Sequence, residues 1–112
     1  MKLVSFRVRT PLGTFTRVGA IHGQQVVDLN MAYVRWLADQ QETQPQRLAN
    51  AQVPPTMLEF LEGGSSTLAA ARRAKDYVTT LSLSVKGPSG ETIVYSATYV
   101  QFLAPMPNPS SL

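Results

Sequence analysis

The chain has 112 residues, 44% of them hydrophobic and 15% charged, with a net charge of +3. One domain fits this length, and it can bury roughly two-thirds of the surface its unfolded chain exposes. There are no cysteines, which excludes disulfides, thiolate metal sites and cysteine nucleophiles. The charged fraction is well below the usual one-quarter, so part of the exterior is expected to be covered by another domain or subunit.

The amino terminus alternates charged and apolar residues and lacks the continuous apolar stretch of a secretory signal. No run approaches the ~18 apolar residues that span a bilayer. The chain reads as soluble and cytoplasmic. Its positive excess is local, because residues 1–20 hold Lys2, Arg7, Arg9 and Arg17 and no acid.

Residues 2–9 have the period of a half-buried strand, with Val4, Phe6 and Val8 on one face and Ser5, Arg7 and Arg9 on the other. Thr10-Pro11-Leu12-Gly13 supplies a turn. Residues 14–22 form a second strand, Phe15 and Ile21 on one face, Val18 and Ala20 on the other. Gly19 inside it signals a bulge or a close backbone approach. His22-Gly23 turns the chain into a third strand, Gln24 to Leu29, which completes an antiparallel meander.

Asp28 or Asn30 can cap the helix that follows. Leu29, Tyr33, Trp36, Leu37 and Gln40 share its buried stripe, widened by Val34 and Ala38, and it ends near Gln41. Residues 42–55, with Pro45, Pro54 and Pro55, read as a loop. Thr56 and Glu59 form a capping box for a short helix, stopped by Gly63-Gly64. Ser65 or Ser66 caps a third helix, Thr67 to about Thr79, with Leu68, Ala71, Ala74 or Lys75, and Val78 buried.

Leu81, Leu83 and Val85 alternate with polar residues as a strand would. Gly87 to Gly90 turns, and residues 91–103 read as one long strand with Ile93, Tyr95, Ala97 and Tyr99 on one face. Both faces are apolar near its end, at Val100, Phe102 and Leu103, so it should sit centrally or meet a neighbouring domain. Pro105, Pro107 and Pro109 then favour extended backbone, the chemistry of a semi-rigid linker. The expected organisation is a domain over 1–104 and a linker over 105–112, leading to a larger portion of the protein that holds much of the function. The expected fold class is α+β: a small antiparallel sheet or partly open barrel with about three helices.

Signals of chemistry are sparse. His22 is the one histidine, at a predicted turn, and reads as a surface residue rather than a base or ligand. Asp28 and Glu59 have capping roles, while Asp39, Glu42, Glu62, Asp76 and Glu91 read as solvated. Gly63-Gly64-Ser65-Ser66 precedes a helix but lacks a phosphate-binding lysine and reads as a helix boundary. The aromatic residues Tyr33, Trp36, Tyr77, Tyr95 and Tyr99 fall at packing positions.

Three segments together carry a family likeness. Met1-Lys-Leu-Val-Ser-Phe-Arg7, with Arg17-Val-Gly-Ala-Ile-His-Gly-Gln-Gln-Val-Val-Asp-Leu29 and Ala32-Tyr33, resembles the amino-terminal domain of bacterial fumarylacetoacetate hydrolase family proteins. Pro55-Thr-Met-Leu-Glu-Phe-Leu-Glu-Gly-Gly64, then Leu68-Ala-Ala-Ala-Arg72, resembles that domain's helical middle. Phe102-Leu-Ala-Pro-Met-Pro-Asn-Pro-Ser-Ser-Leu112 resembles the crossing into the catalytic domain. Leu81–Tyr99 is the least similar stretch.

The resemblance implies a non-catalytic accessory domain beside a catalytic domain. In the parent, that domain would use Mg²⁺, Mn²⁺ or Ca²⁺ to cleave carbon–carbon bonds of acylpyruvate or β-diketone-like substrates, with decarboxylation or isomerisation in relatives. It also implies a homodimer. None of the family's catalytic or metal positions falls within this chain, so no catalytic, cofactor or metal residue is assigned and no cofactor is expected in these residues. Two rival readings are a small basic β-domain binding nucleic acid through Lys2, Arg7, Arg9 and Arg17, the less favoured partner, and a dimerisation module using Tyr99 to Leu103 and the proline segment.

Overall fold

The computed structural model describes residues 1–103. The order of elements is β1 (Leu3–Thr10), β2 (Gly13–His22), β3 (Gln25–Asp28), α1 (Leu29–Asp39), α2 (Pro45–Gln52), α3 (Met57–Glu62), α4 (Gly64–Leu81), β4 (Val94–Ser96) and β5 (Gln101–Phe102). The fold is α+β, with a five-stranded antiparallel sheet in the order β4-β3-β2-β1-β5. The sheet is not closed into a barrel, because β4 and β5 do not pair.

The meander folds as its alternation predicts. On one sheet face Leu3, Val18, Ala20 and Val27 pack with Leu29, Ala32, Tyr33, Val34 and Leu37 of α1 and Ala71, Ala74 and Val78 of α4. Phe60, Val53, Val85 and Ile93 complete this main core. Each fully buried Val, Leu or Phe contributes about 1.5–3 kcal/mol relative to exposure. On the other face Val4, Phe6, Val8, Val26, Tyr95 and Val100 form a second cluster with no helix over it.

That second cluster exists because the sheet curls. β4 and β5 lie at opposite ends of the strand order, about 19 Å apart in a flat sheet at the usual strand spacing. Only residues 97–100 join them, and these turn, with the Tyr99 amide donating to the Ser96 carbonyl at 2.9 Å. A turning link cannot span a distance that a fully extended one barely reaches, so the sheet bends to bring its edges together. Gly19 lies where the faces crowd. A Cβ there would stand 2.7 Å from both Phe6 Cε1 and Val26 Cγ2, and 2.9 Å from the Val27 carbonyl oxygen. The glycine is therefore a close backbone approach, one of the two roles expected for it.

Asp28 is the residue that caps α1, its carboxylate accepting from the Met31 amide at 3.1 Å. Gln41 then adopts a left-handed φ of 66° and ends the helical path, as expected from its position. In α4, Ala74 and not Lys75 is buried, while Arg72, Arg73 and Asp76 are exposed.

Several expectations are corrected. Residues 42–55 are not all loop, because α2 occupies Pro45–Gln52 with its proline in the first turn, where the missing N–H costs nothing. There are thus four helices among the described residues, one more than expected. Thr56 precedes α3, but its hydroxyl donates to the Glu59 carboxylate at 2.8 Å and does not cap a backbone amide. Ser65 and Ser66 are inside α4, which begins at Gly64 with a φ of 63°. Leu81 ends α4, and Ser82–Val85 is a turn rather than a strand. The long strand over 91–103 is two short ones, β4 and β5, separated by the turn at 97–100. Neither is central, since each sits at a sheet edge. Tyr99 and Phe102 are 64% and 42% exposed, so they do not form a strand buried on both faces. Ala104 and the proline segment 105–112 lie outside the described residues.

Candidate functional site

The β1–β2 hairpin runs past the helical layer. Its inner face, with Val8 and Phe15, forms one wall of an open cleft of about 950 Å³. The facing wall comes from Gly90–Thr92, Val94–Ser96 and Tyr99. Leu12 at the hairpin tip is 90% exposed, and Phe15 and Tyr99 are exposed beside it. The walls are mostly apolar, the composition of a binding surface.

The floor is polar and organised by strand register. Gly19 pairs with Asp28 across β2 and β3, so Arg17, two residues earlier on the same face, lies diagonally within reach. The Arg17 Nε donates to Asp28 Oδ2 at 2.8 Å and Nη2 donates to Oδ1 at 3.2 Å. Nη2 also donates to Asn30 Oδ1 at 3.0 Å. Asn30 is almost fully buried. Its Nδ2 donates to the Val53 carbonyl at 2.9 Å and to Asn50 Oδ1 at 3.1 Å, and its Oδ1 also accepts from Gln46 Nε2 at 3.1 Å. One asparagine thus ties β2, α1 and α2 together with all its donor and acceptor capacity used.

Tyr95 stands over this floor. Its ring is tilted on Phe6 at a centroid distance of 5.6 Å and stacked on Tyr99 at 6.2 Å. Burial pushes its hydroxyl pKa up, the Asp28 charge adds to the rise and Arg17 opposes it. The cleft contains no histidine, and Ser96, the serine on its wall, shares a 2.9 Å hydrogen bond with Thr98. Arg17 and Asp28 neutralise each other. The arrangement offers an apolar docking surface with a closed polar floor, without an activated nucleophile in place.

The remaining candidates are dispersed. His22 is half-buried at the end of β2, paired with Gln25. The basic residues do not form one strip: Arg17 is turned into the cleft floor, and Lys2 precedes the opposite end of β1 from Arg9. Arg7 and Arg9 stay exposed on the outer face of the hairpin. Asp39 accepts from the Tyr77 hydroxyl at 2.5 Å and from Arg35 Nε at 2.9 Å, and Arg35 also holds the Lys86 carbonyl at 2.7 Å. This joins α1, α4 and the segment before β4. Tyr33, hydrogen-bonded to Gln52, stacks on Trp36, and the Arg73 guanidinium lies 5.6 Å over the indole.

Sequence reading offered Asp28 as one of two candidate caps, beside Asn30, but gave neither its partner Arg17 nor the Asn30 hub. The register of the predicted hairpin contained the first of these, since it places 17 and 28 diagonally on one face. No three of His, Asp or Glu come together among the described residues in a way that could hold a metal ion, and no helix among them is long and apolar enough to cross a membrane. Compared with protein-family models, with curated proteins and with solved structures, the chain matches none.

Proposed function

We propose that this chain is the amino-terminal, non-catalytic domain of a bacterial, cytoplasmic enzyme of the fumarylacetoacetate hydrolase family. The reading is carried by the order and spacing of the resembling segments, above all Arg17 to Leu29. What these residues do in the fold supports a structural role for them: Arg17 and Asp28 pair, Gly19 lets the sheet curl, and Asp28 starts α1. The apolar cleft around Leu12, Phe15 and Tyr99 supplies a surface for a neighbouring domain. The catalytic domain would carry the divalent metal and act on small acidic diketo-type substrates, in a homodimer.

The reading frame after Leu112 tests this. An Arg-Asp and Phe-Glu-x-His pattern followed by acidic metal motifs is expected, and a stop codon directly after Leu112 overturns the proposal. The 112-residue chain alone, given an acylpyruvate and Mg²⁺, is expected to show no hydrolysis. Turnover above the uncatalysed rate would refute the non-catalytic assignment.

A further inference from the structure

We propose that the outer face of the β1–β2 hairpin is a receptor for a compact, polyvalent oxyanion, gripped by Arg7 and Arg9. Alternation puts both side chains on one face, about 7 Å apart along the strand. Thr16 and Thr14 stand opposite them on β2, and Gln101 stands opposite Arg7 on β5. The helices cover this face only at its other end, over Leu3, Val18 and Ala20. What remains is a concavity of about 610 Å³ lined by Arg7, Arg9, Thr14, Thr16, Gln101 and Tyr99.

Its chemistry is one-sided. All seven acidic side chains lie within the described residues, yet the ion pairs among them are Arg17–Asp28 and Arg35–Asp39. Arg7 and Arg9 have no carboxylate side chain paired with them. Guanidinium, hydroxyl and amide groups give the concavity a surplus of N–H and O–H donors, and two neighbouring cations repel until an anion comes between them. Guanidinium forks bind carboxylate and phosphate oxygens in pairs. The volume is that of a small-molecule site.

A nucleic-acid strand fits less well. With Arg17 withdrawn and Lys2 remote, two cations remain, enough for a salt slope of only about −1.4 on a single strand. The inference is independent of the proposed family, since it uses only the charge and register of the hairpin.

The test is an NMR titration of the 112-residue chain at low ionic strength, following backbone amides and arginine Nε–H groups. Pyrophosphate and citrate are the two small-anion probes, and a short oligothymidylate is the third arm. Saturable shifts confined to Arg7, Arg9, Thr14, Thr16 and Gln101 are expected with at least one small anion. Pyrophosphate or citrate alone would identify phosphate or carboxylate as the preferred source. The Arg7→Gln/Arg9→Gln double variant, its folding checked by thermal melting, is expected to weaken binding at least about tenfold, and Arg72→Gln/Arg73→Gln to leave it unchanged. Shifts that never saturate, saturable shifts that survive the Arg7→Gln/Arg9→Gln change, or oligothymidylate binding tighter than both small anions would each overturn the proposal.

Discussion

Arg17 and Asp28 meet as a two-pronged ion pair, 2.8 Å and 3.2 Å between heavy atoms, with the carboxylate also capping α1. Asp28 is nearly inaccessible, whereas the Arg17 side chain keeps 21% of its exposure. Removing Asp28 strands a partly buried cation and uncaps a helix. Breaking a buried pair costs about 3–5 kcal/mol, and partial solvation of Arg17 lowers the expectation for Asp28→Ala to about 2–3 kcal/mol. Asp28→Asn, which preserves a capping oxygen, should lose about half as much. Urea unfolding of the two variants measures this, and equal losses would show that the capping oxygen contributes nothing beyond the charge.

Asn30 is the joint between β2 and α2. Asn30→Ala leaves the buried Val53 carbonyl without this partner, whereas the exposed Gln46 amide keeps Asn50. An orphaned buried group costs about 1–3 kcal/mol, and a loss in that range is expected. Hydrogen exchange should show α2 released before the sheet. An α2 protected as in the unmodified chain would contradict the role of this joint.

Gly19→Ala should destabilise by about 1–3 kcal/mol, the range for overpacking, because the added methyl meets Phe6, Val26 and the backbone of Val27. Combining it with Phe6→Leu removes the crowding ring. The penalty for the alanine is then expected to shrink, and a double-mutant cycle with no coupling would rule out Phe6 as its cause.

Two tyrosines should titrate late. The Tyr77 hydroxyl is held above its usual value of 10.0 chiefly by its hydrogen bond to Asp39, and Tyr95 chiefly by burial. Each raised value gives folding stability that is full below pH 10 and is lost as pH rises through the folded-state value. Absorbance titration of tyrosinate is expected to lose one late component in Tyr77→Phe and one in Tyr95→Phe.

Asp39 has the opposite sign. The Tyr77 hydrogen bond holds its carboxyl below 3.8, burial works against this, and Arg35 adds to the lowering. Its contribution is present above the unfolded value and is lost as pH falls through the folded one. Tyr77→Phe should raise the Asp39 pKa, read from its carboxyl carbon by NMR. An unchanged value would leave Arg35 as the controlling partner.

The meander, α1 and α4 were legible because their apolar periods match buried faces, and α3 because Gly63-Gly64 ends a short apolar run that buries Phe60. Failures came where polarity and proline misled. α2 buries only Ala49 fully, so it has no apolar stripe to read, and Pro45 looks like a breaker although it starts the helix. Leu81 and Leu83 alternate like strand residues but are 45% and 46% exposed. Residues 91–103 have a strand's composition throughout, but the short return from one sheet edge to the other forces a turn within them. At the candidate site, Asp28 was visible as a cap, while Asn30 was not visible as a hub because its partners on α2 come from a helix the sequence did not reveal.

Among the described elements, strand β1 is the first a ribosome would release and the last to be completed. Its outer edge at Phe6 and Arg7 pairs with Phe102 and Gln101, at nearly the far end of the described chain. With synthesis running at about 5–20 residues per second, that edge waits several seconds beside a finished hairpin. Unpaired edges recruit other chains. The charged face of β1, with Arg7 and Arg9 standing on it, thus also has a vectorial consequence: like charges on nascent neighbours keep a waiting edge from finding a strand that is not its own.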